Sequence, residues 1–262
     1  MIFLQPTSII ELAAALAETD GKTVLAAGCT DILPGKIGRP WDADRIVDLT
    51  HIPELREITA GDGGLFIGAC CTHAQIAENG PVQVNFKALA QACAQVGSVQ
   101  IRNRGTIGGN VANASPAADT VPCLMLFDAQ TETIGPGGAC ITGFRLPLPE
   151  QGTVSAFVKL GDREIVTIAR IQLAVKSVIK DGRLSSTRAV IGAAGKTPFF
   201  CEEAAAVLDG SRAEEDLLAP FAAALSKAIE ASIPGRSTLP YKRSAVRGPA
   251  AEILKKLRLE LY

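Results

Sequence analysis

Histidine is scarce in this chain of 262 residues, and no C-x-x-C pair occurs among its seven cysteines. Two histidines and seven scattered cysteines match neither a zinc nor an iron–sulfur ligand spacing. We therefore expect free thiols in a reducing compartment, and we expect this chain to hold no metal of its own.

The sequence also lacks an excess of one charge. Its 26 basic and 27 acidic residues give a net charge of -1, which excludes a general field for nucleic acid or an anionic membrane surface. No apolar run reaches the length of a spanning helix, so we expect no membrane insertion. The first residues carry neither a basic n-region nor an A-x-A cleavage site, and we expect a cytoplasmic protein.

A third absence concerns nucleotide binding: no G-x-G-x-x-G occurs, so the chain lacks the fingerprint of a Rossmann site. The length allows roughly two domains, and a hydrophobic content of 47% is ordinary for a packed globular protein. Because the chain has no excess of positive charge, any anionic ligand must be bound by local groups within a folded domain.

Helix and strand signals alternate along the chain without a strict βαβ rhythm. Ser8 and Glu11 form a capping box before an apolar helix, and "KTVLAAG", "RIVDLT" and "LFIGAC" read as strands. A segment rich in Gly and Pro ends near residue 152 and marks a domain boundary. Beyond it, we predict strands joined by a hairpin at Asp181-Gly182, followed by three helical segments.

Two glycine-containing turns carry the most chemical information. They are "AAGCTDILP", from Ala26 to Pro34, and "GTIGGN", from Gly105 to Asn110, and each adds hydroxyl or amide side chains. Glycine lets the backbone approach a ligand, and convergent N–H groups can hold a diphosphate without a nearby cation. Two such loops facing one another would form an anion cradle, although a Gly-Gly pair is also ordinary turn chemistry.

Asp119 follows the second loop and offers a carboxylate suited to ribose hydroxyls. The alternative is that Asp119 simply caps a helix. Composition and periodicity alone leave both readings open.

Three segments together resemble the FAD-binding medium subunit of the molybdenum hydroxylases, the family of xanthine dehydrogenase and aerobic carbon monoxide dehydrogenase. They are "LAAGCTDILP", "VGSVQIRNRGTIGGNVANASPAADTVPCLMLFDA" and "GAAGKTPFFCEEAAAVLDG". The resemblance covers nearly the whole chain, and the central motif is its long and specific part.

The resemblance implies an α+β fold with a two-subdomain FAD-binding domain of the vanillyl-alcohol oxidase (PCMH) type. This domain would span residues 1–152, with subdomains of about 1–53 and 54–152. A smaller α/β domain with an antiparallel sheet and helices would follow over residues 153–262.

The resemblance also implies a set of FAD-binding residues. Two loops would hold the diphosphate, Asp119 would bind the adenosine end, and Lys159 and Ile141 would lie near the flavin. The loop residues are Ala27, Gly28, Cys29, Thr30, Asp31, Ile32 and Leu33, then Thr106, Ile107, Gly108, Gly109 and Asn110. A cation near the ring would favour the anionic reduced flavin, while the alternative for Lys159 is a solvated strand residue.

The chain departs from the family pattern in two places. Cys29 stands where the family usually has glycine, which places a side chain where close backbone approach is expected. The segment 130–141 is shorter than in most relatives, which affects the placement of Ile141. No cysteine-rich insert is present, so we do not expect the extra iron–sulfur cluster of the benzoyl-CoA-type branch.

By this resemblance, the chain is expected to be an oxidoreductase subunit without a catalytic residue of its own. Its FAD would pass electrons from the [2Fe–2S] clusters of a small subunit to NAD or another acceptor. The assembly would be a heterotrimer, in which a molybdopterin-binding large subunit oxidises the substrate. The alternatives are a free-standing FAD oxidoreductase and a non-catalytic scaffold that has lost the cofactor.

Overall fold

The computed structural model describes residues 1–17, 22–40, 42–61, 63–163 and 166–261. Residues 18–21, 41, 62, 164, 165 and 262, which the predicted domains include, lie outside the described residues. The described strands are β1 Ile2–Leu4, β2 Thr23–Ala26, β3 Arg45–Asp48, β4 Ile58–Gly61, β5 Gly64–Gly68, β6 Gln130–Ile134, β7 Cys140–Pro147, β8 Thr153–Gly161, β9 Ala169–Lys180, β10 Arg183–Gly192 and β11 Phe199–Phe200.

Twelve α-helices occur in the same part of the chain. They are α1 Ile9–Ala17, α2 Ile32–Lys36, α3 His73–Glu78, α4 Gly80–Asn85, α5 Lys87–Ala94, α6 Val99–Arg102, α7 Ile107–Ala112, α8 Val121–Leu126, α9 Glu202–Leu208, α10 Leu218–Ser232, α11 Leu239–Ala245 and α12 Arg247–Leu261. Within the described ranges, no helix combines the length and the apolar character needed to cross a bilayer.

The chain forms two compact units that are not contiguous in sequence. The first contains the described residues of 1–76, 99–114 and 129–148, and the second those of 77–98, 115–128 and 149–261. The domain boundary near residue 152 stays a prediction, since the second unit also takes in two segments from the middle of the chain.

The first unit contains two sheets. One is parallel, in the order β1-β3-β2, and the other is antiparallel, in the order β4-β5-β7-β6. The apolar face of α1 supplies Leu12 and Leu16 to a buried core with Val47, Leu49 and Cys140. The Ser8 hydroxyl accepts a hydrogen bond from the Glu11 amide at 3.2 Å, as the capping box predicts.

Strand β7 was not predicted, because "IGPGGACITGFRLPLPEQG" reads as a segment of Gly and Pro. It nevertheless pairs with both β5 and β6. A Cβ at Gly143 would lie 2.4 Å from the Phe66 ring, so glycine is the residue that fits this strand position. Neither the pairing with β5 nor this close approach leaves a local sequence signal.

The second unit is built on the antiparallel sheet β11-β10-β9-β8, which confirms the predicted C-terminal antiparallel sheet. One face of β9 carries Ile171, Leu173 and Val175 into a core with helices α9, α10 and α12. Alternation along the strand places Gln172 on the opposite face. That face packs against α5 and α8, where the Ser155 hydroxyl accepts the Ala88 amide at 3.1 Å.

The hairpin between β9 and β10 turns at the predicted residues. Asp181 and Gly182 have φ angles of 52° and 69°, and two consecutive positive φ values are typical of a type I′ turn.

Candidate functional site

The first loop, Ala27–Leu33, follows β2 and leads into α2. Cys29 adopts φ 61°, a left-handed conformation that favours glycine, and its Sγ lies 3.4 Å from the Ala27 carbonyl oxygen. Ile32 and Leu33 begin α2, where the Leu33 amide donates to the Cys29 carbonyl at 3.1 Å. Glycine, which the family usually has at this position, would adopt this φ without strain.

The middle of this loop contains backbone amides that can donate hydrogen bonds to a ligand. Within the described residues, the backbone amides of Cys29, Thr30 and Asp31 have no acceptor in hydrogen-bond reach. Three successive unsatisfied N–H groups suit an anionic ligand. The negative charge of the exposed Asp31 carboxylate in the same loop would repel an anion.

The second loop differs from the predicted Gly-Gly turn, because Gly108 and Gly109 lie inside helix α7. Thr106 is its N-cap, and the Thr106 hydroxyl accepts the Gly109 amide at 3.2 Å. The Ile107 and Gly108 amides donate to the carbonyls of Cys71 and Ala69 at 3.0 and 2.8 Å. These amides therefore hold the loop in place, and binding of the FAD diphosphate by this loop stays a prediction.

The glycines of both loops allow two backbone segments of the first unit to touch. A Cβ at Gly28 would lie 2.0 Å from the Arg104 carbonyl oxygen, and a Cβ at Gly108 would lie 2.6 Å from the Ala69 Cβ. Glycine is needed at both positions because the close neighbour is the protein itself, and close approach of a ligand there stays a prediction. Gly109 is exposed and Asn110 is half-buried.

Two residues beside the loops were not predicted. Arg104 lies close enough to Cys29 for its charge to oppose the rise that burial and Asp48 cause in the thiol's pKa. The His73 imidazole is buried, its Cδ2 would lie 3.4 Å from a Cβ at Gly105, and its Nδ1 has no partner. Burial, helped by the charge of Arg102, lowers the pKa of His73 to about 4. The position of Arg104 directly before the "GTIGGN" motif could have indicated that it lies beside the site. No local feature of the sequence indicates that His73 is buried.

Ile141 lies in β7 of the first unit, opposite Thr133, and is half-buried. Gly143 pairs with Glu132 and Ile141 pairs with Thr133, so Thr142, between them on β7, is the extra residue of a bulge.

Asp119 and Lys159 meet inside the second unit. Lys159 Nζ lies 2.6 Å from Asp119 Oδ2, and the two side chains are only 4% and 7% exposed. Lys159 also donates to the Gln95 carbonyl at 3.1 Å. The alternative reading of Lys159 as a solvated strand residue is therefore wrong.

Gln172 completes this group. Its Nε2 donates to Asp119 Oδ1 at 2.6 Å and to the Ala117 carbonyl at 3.1 Å. Burial raises the pKa of Asp119, while the Lys159 ammonium and the Gln172 amide oppose that rise. Because both carboxylate oxygens have these partners, Asp119 does not cap α8, whose N-cap is Thr120.

Comparison with known proteins places these loops in a family. The model of the FAD binding domain in molybdopterin dehydrogenase matches residues 1–169, and that of the CO dehydrogenase flavoprotein C-terminal domain matches residues 156–257. This chain belongs to the FAD-binding subunits of the molybdenum hydroxylases. It is an oxidoreductase subunit of the xanthine and carbon monoxide dehydrogenase type, and its cofactor is FAD.

Individual relatives of this flavin subunit agree with the family match. The xanthine dehydrogenase FAD-binding subunit of Escherichia coli O157:H7 is 32% identical over 206 residues, which cover 69% of this chain and 70% of the relative. The carbon monoxide dehydrogenase medium chain of Afipia carboxidovorans is 27% identical over 260 residues, covering 91% and 90%.

The fold agrees as well. A chain of reconstituted CO dehydrogenase from Oligotropha carboxidovorans superposes with a TM-score of 0.86 at 23% identity, over 99% of this chain and 98% of that one. A chain of quinoline 2-oxidoreductase from Pseudomonas putida 86 gives 0.87 at 22% identity, over 100% and 98%. The predicted two-domain FAD-binding fold is thereby confirmed.

Proposed function

We propose that this flavin subunit transfers electrons within a molybdenum hydroxylase, from the [2Fe–2S] clusters of a small subunit to NAD or another acceptor. A molybdopterin-binding large subunit would oxidise the substrate. Relatives described as a medium chain or an FAD-binding subunit support this assembly. Bound FAD would supply the means to accept electrons singly and release them as a pair.

The unsatisfied amides of Cys29, Thr30 and Asp31 are the observation that best supports cofactor binding by these loops. We propose that they hold the FAD diphosphate with the Thr30 hydroxyl, while the exposed Gly109 and the Asn110 side chain form the other part of the cradle. Thr106, Ile107 and Gly108 would support this loop through their internal hydrogen bonds. Ile141 near the flavin stays a prediction.

The contact between Asp119 and Lys159 refines their assignment. The resemblance assigned Asp119 to the adenosine end of FAD and Lys159 to the flavin, which are separated by the diphosphate and ribityl chain. Side chains 2.6 Å apart favour a common role. We propose that they act as one buried ion pair toward the cofactor, with Asp119 orienting the Lys159 cation.

The decisive test of the cradle is FAD content. The purified chain is expected to show a flavin spectrum, to release FAD on heating and to contain one FAD per chain. Asn110→Ala should lower the occupancy about tenfold, because a polar contact to an anionic or ribityl group is lost. Asn113→Ala, which removes an exposed amide at the end of the same helix, is the matched control. Equal FAD content in the two variants would remove Asn110 from the site.

The assembly is tested separately by purifying a tagged copy of the chain from its natural host. We expect molybdenum and iron to co-purify, and we expect the isolated chain to turn over NADH slowly with soluble dyes. A flavoprotein that elutes without either metal and works at full rate alone would instead be a free-standing oxidoreductase.

A further inference from the structure

Gln172 occupies a central position in the sheet of the second unit. It is directly opposite Lys159 on β8 and opposite Gly192 on β10. Directly opposed residues project from the same face of a sheet. Gln172 and Lys159 therefore reach Asp119 from neighbouring strands.

The neighbours of Gln172 determine the orientation of its amide. The two groups within reach on one side, Asp119 Oδ1 and the Ala117 carbonyl, are both acceptors, so the nitrogen must face them. Oε1 then faces Gly192, where a Cβ would lie only 2.2 Å away. Glycine at 192 leaves the room that this amide orientation needs.

Burial of the Gln172 side chain at this position costs free energy. The side chain is fully buried, and its Oε1 has no hydrogen-bond partner. A buried polar atom without a partner costs free energy. An apolar side chain of similar size would avoid that cost, so the amide nitrogen must contribute something that an apolar group does not.

We infer that Gln172 is a positioning residue of this flavin subunit, whose amide keeps Asp119 ionised and oriented so that Lys159 stays bound to Asp119 Oδ2. The inference rests on the proposed role of the ion pair toward FAD. With Oδ1 held by Gln172, only Oδ2 faces the ammonium. A fixed cation then favours a cofactor that gains negative charge on reduction.

Two thiols lie near Asp119 and remain neutral. Charges on Cys93 of α5 and Cys123 of α8 would interact with Asp119, but burial raises the pKa of both thiols. Lys159 of β8 is the charged group that Asp119 contacts. Loss of the amide at 172 should therefore act on the proton affinity of Asp119 itself.

The first experiment follows the titration of the Asp119 carboxyl by NMR in the full chain without cofactor. Gln172→Met removes the donor at nearly constant size, and we expect it to raise the pKa of Asp119. Gln91→Met is the matched control, because the Gln91 Oε1 accepts a hydrogen bond from the Phe157 amide at 2.8 Å, whereas Asp119 is bonded to Lys159 and Gln172. An unchanged Asp119 titration in Gln172→Met would overturn the inference whether or not the chain binds FAD.

The second experiment measures the Kd for FAD between pH 5 and 9 by flavin fluorescence. Gln172→Met should bind about tenfold more weakly, as expected for the loss of a hydrogen bond to a charged group. Gln172→Glu should regain affinity at low pH, where the new carboxyl can donate a hydrogen bond, and lose it at high pH. A purely structural role predicts equal losses in Gln172→Met and Gln91→Met and no recovery at low pH. Failure of the wild-type chain to bind FAD would instead contradict the proposed function.

Discussion

At the scale of single residues, Cys29 is the clearest departure from what its backbone favours. A left-handed φ is disfavoured for a residue with a Cβ by about 1–2 kcal/mol, and only glycine adopts it freely. The side chain gains little in return, since its single described hydrogen bond is a weak one from Sγ to the Ala27 carbonyl. The cysteine is thus tolerated by the loop and does not stabilise it.

We expect Cys29→Gly to raise the free energy of unfolding by about 0.5 kcal/mol, because relief of the strained φ exceeds the entropy cost of glycine. It should also tighten FAD binding, since it removes a side chain beside the free loop amides. Urea unfolding and FAD titration measure the two effects. Ala27→Gly, at a position without positive φ, is the control and should lose about 0.5–1 kcal/mol. Equal losses in both variants would mean that Cys29 is unstrained.

At the scale of secondary-structure elements, the hairpin of β9 and β10 was predictable and the strand β7 was not. "KDGRLSS" carries its own turn signal, and alternating apolar residues on either side define the strands. Strand β7 pairs with β6 just before it, but its other partner, β5, lies about 80 residues earlier in the chain. Long-range pairing of this kind leaves no pattern within a local window.

The hairpin turn provides a test at this scale. Gly182 has φ 69°, and among the described residues the end of the Arg212 side chain, 3.9 Å away, is the one group near its Cβ position. Gly182→Ala should therefore lower the free energy of unfolding by about 1 kcal/mol through backbone strain alone.

Gly182→Asn serves as the comparison, since asparagine tolerates the left-handed region better than alanine. It should lose clearly less, as measured by the urea midpoint. A larger loss with asparagine would indicate a steric cause rather than a conformational one.

At the scale of the whole molecule, stability is expected to depend on pH through His73. The imidazole is 2% exposed, and its pKa falls from an ordinary 6.5 to about 4. The unfolded chain therefore binds more protons than the folded chain between these values. Stability is fully present above pH 6.5 and is lost as the pH falls toward 4, by about 3 kcal/mol.

The measurement is the urea unfolding free energy between pH 4 and 7.5 for the wild type and His73→Gln. Asp119 contributes a slope of opposite sign, because its folded pKa is raised and the stability tied to its protonated form decreases as the pH increases. The difference between the two profiles isolates His73. Parallel profiles would show that the imidazole is not held neutral by burial.

The sequence by itself determined the family and the cofactor, because the motif "NRGTIGGNVANASPAAD" is long and specific. Only the tertiary structure showed that Gly28 and Gly108 each make a close contact with another part of the protein. The sequence also determined the C-terminal strands, whose alternation is local. Only the tertiary structure decided which amides stay free, since the Ile107 and Gly108 donors are satisfied by residues 69 and 71. The tertiary structure likewise joined Asp119, Lys159 and Gln172, because their contacts arise from the register of β8 and β9 and from burial, which no short stretch of sequence specifies.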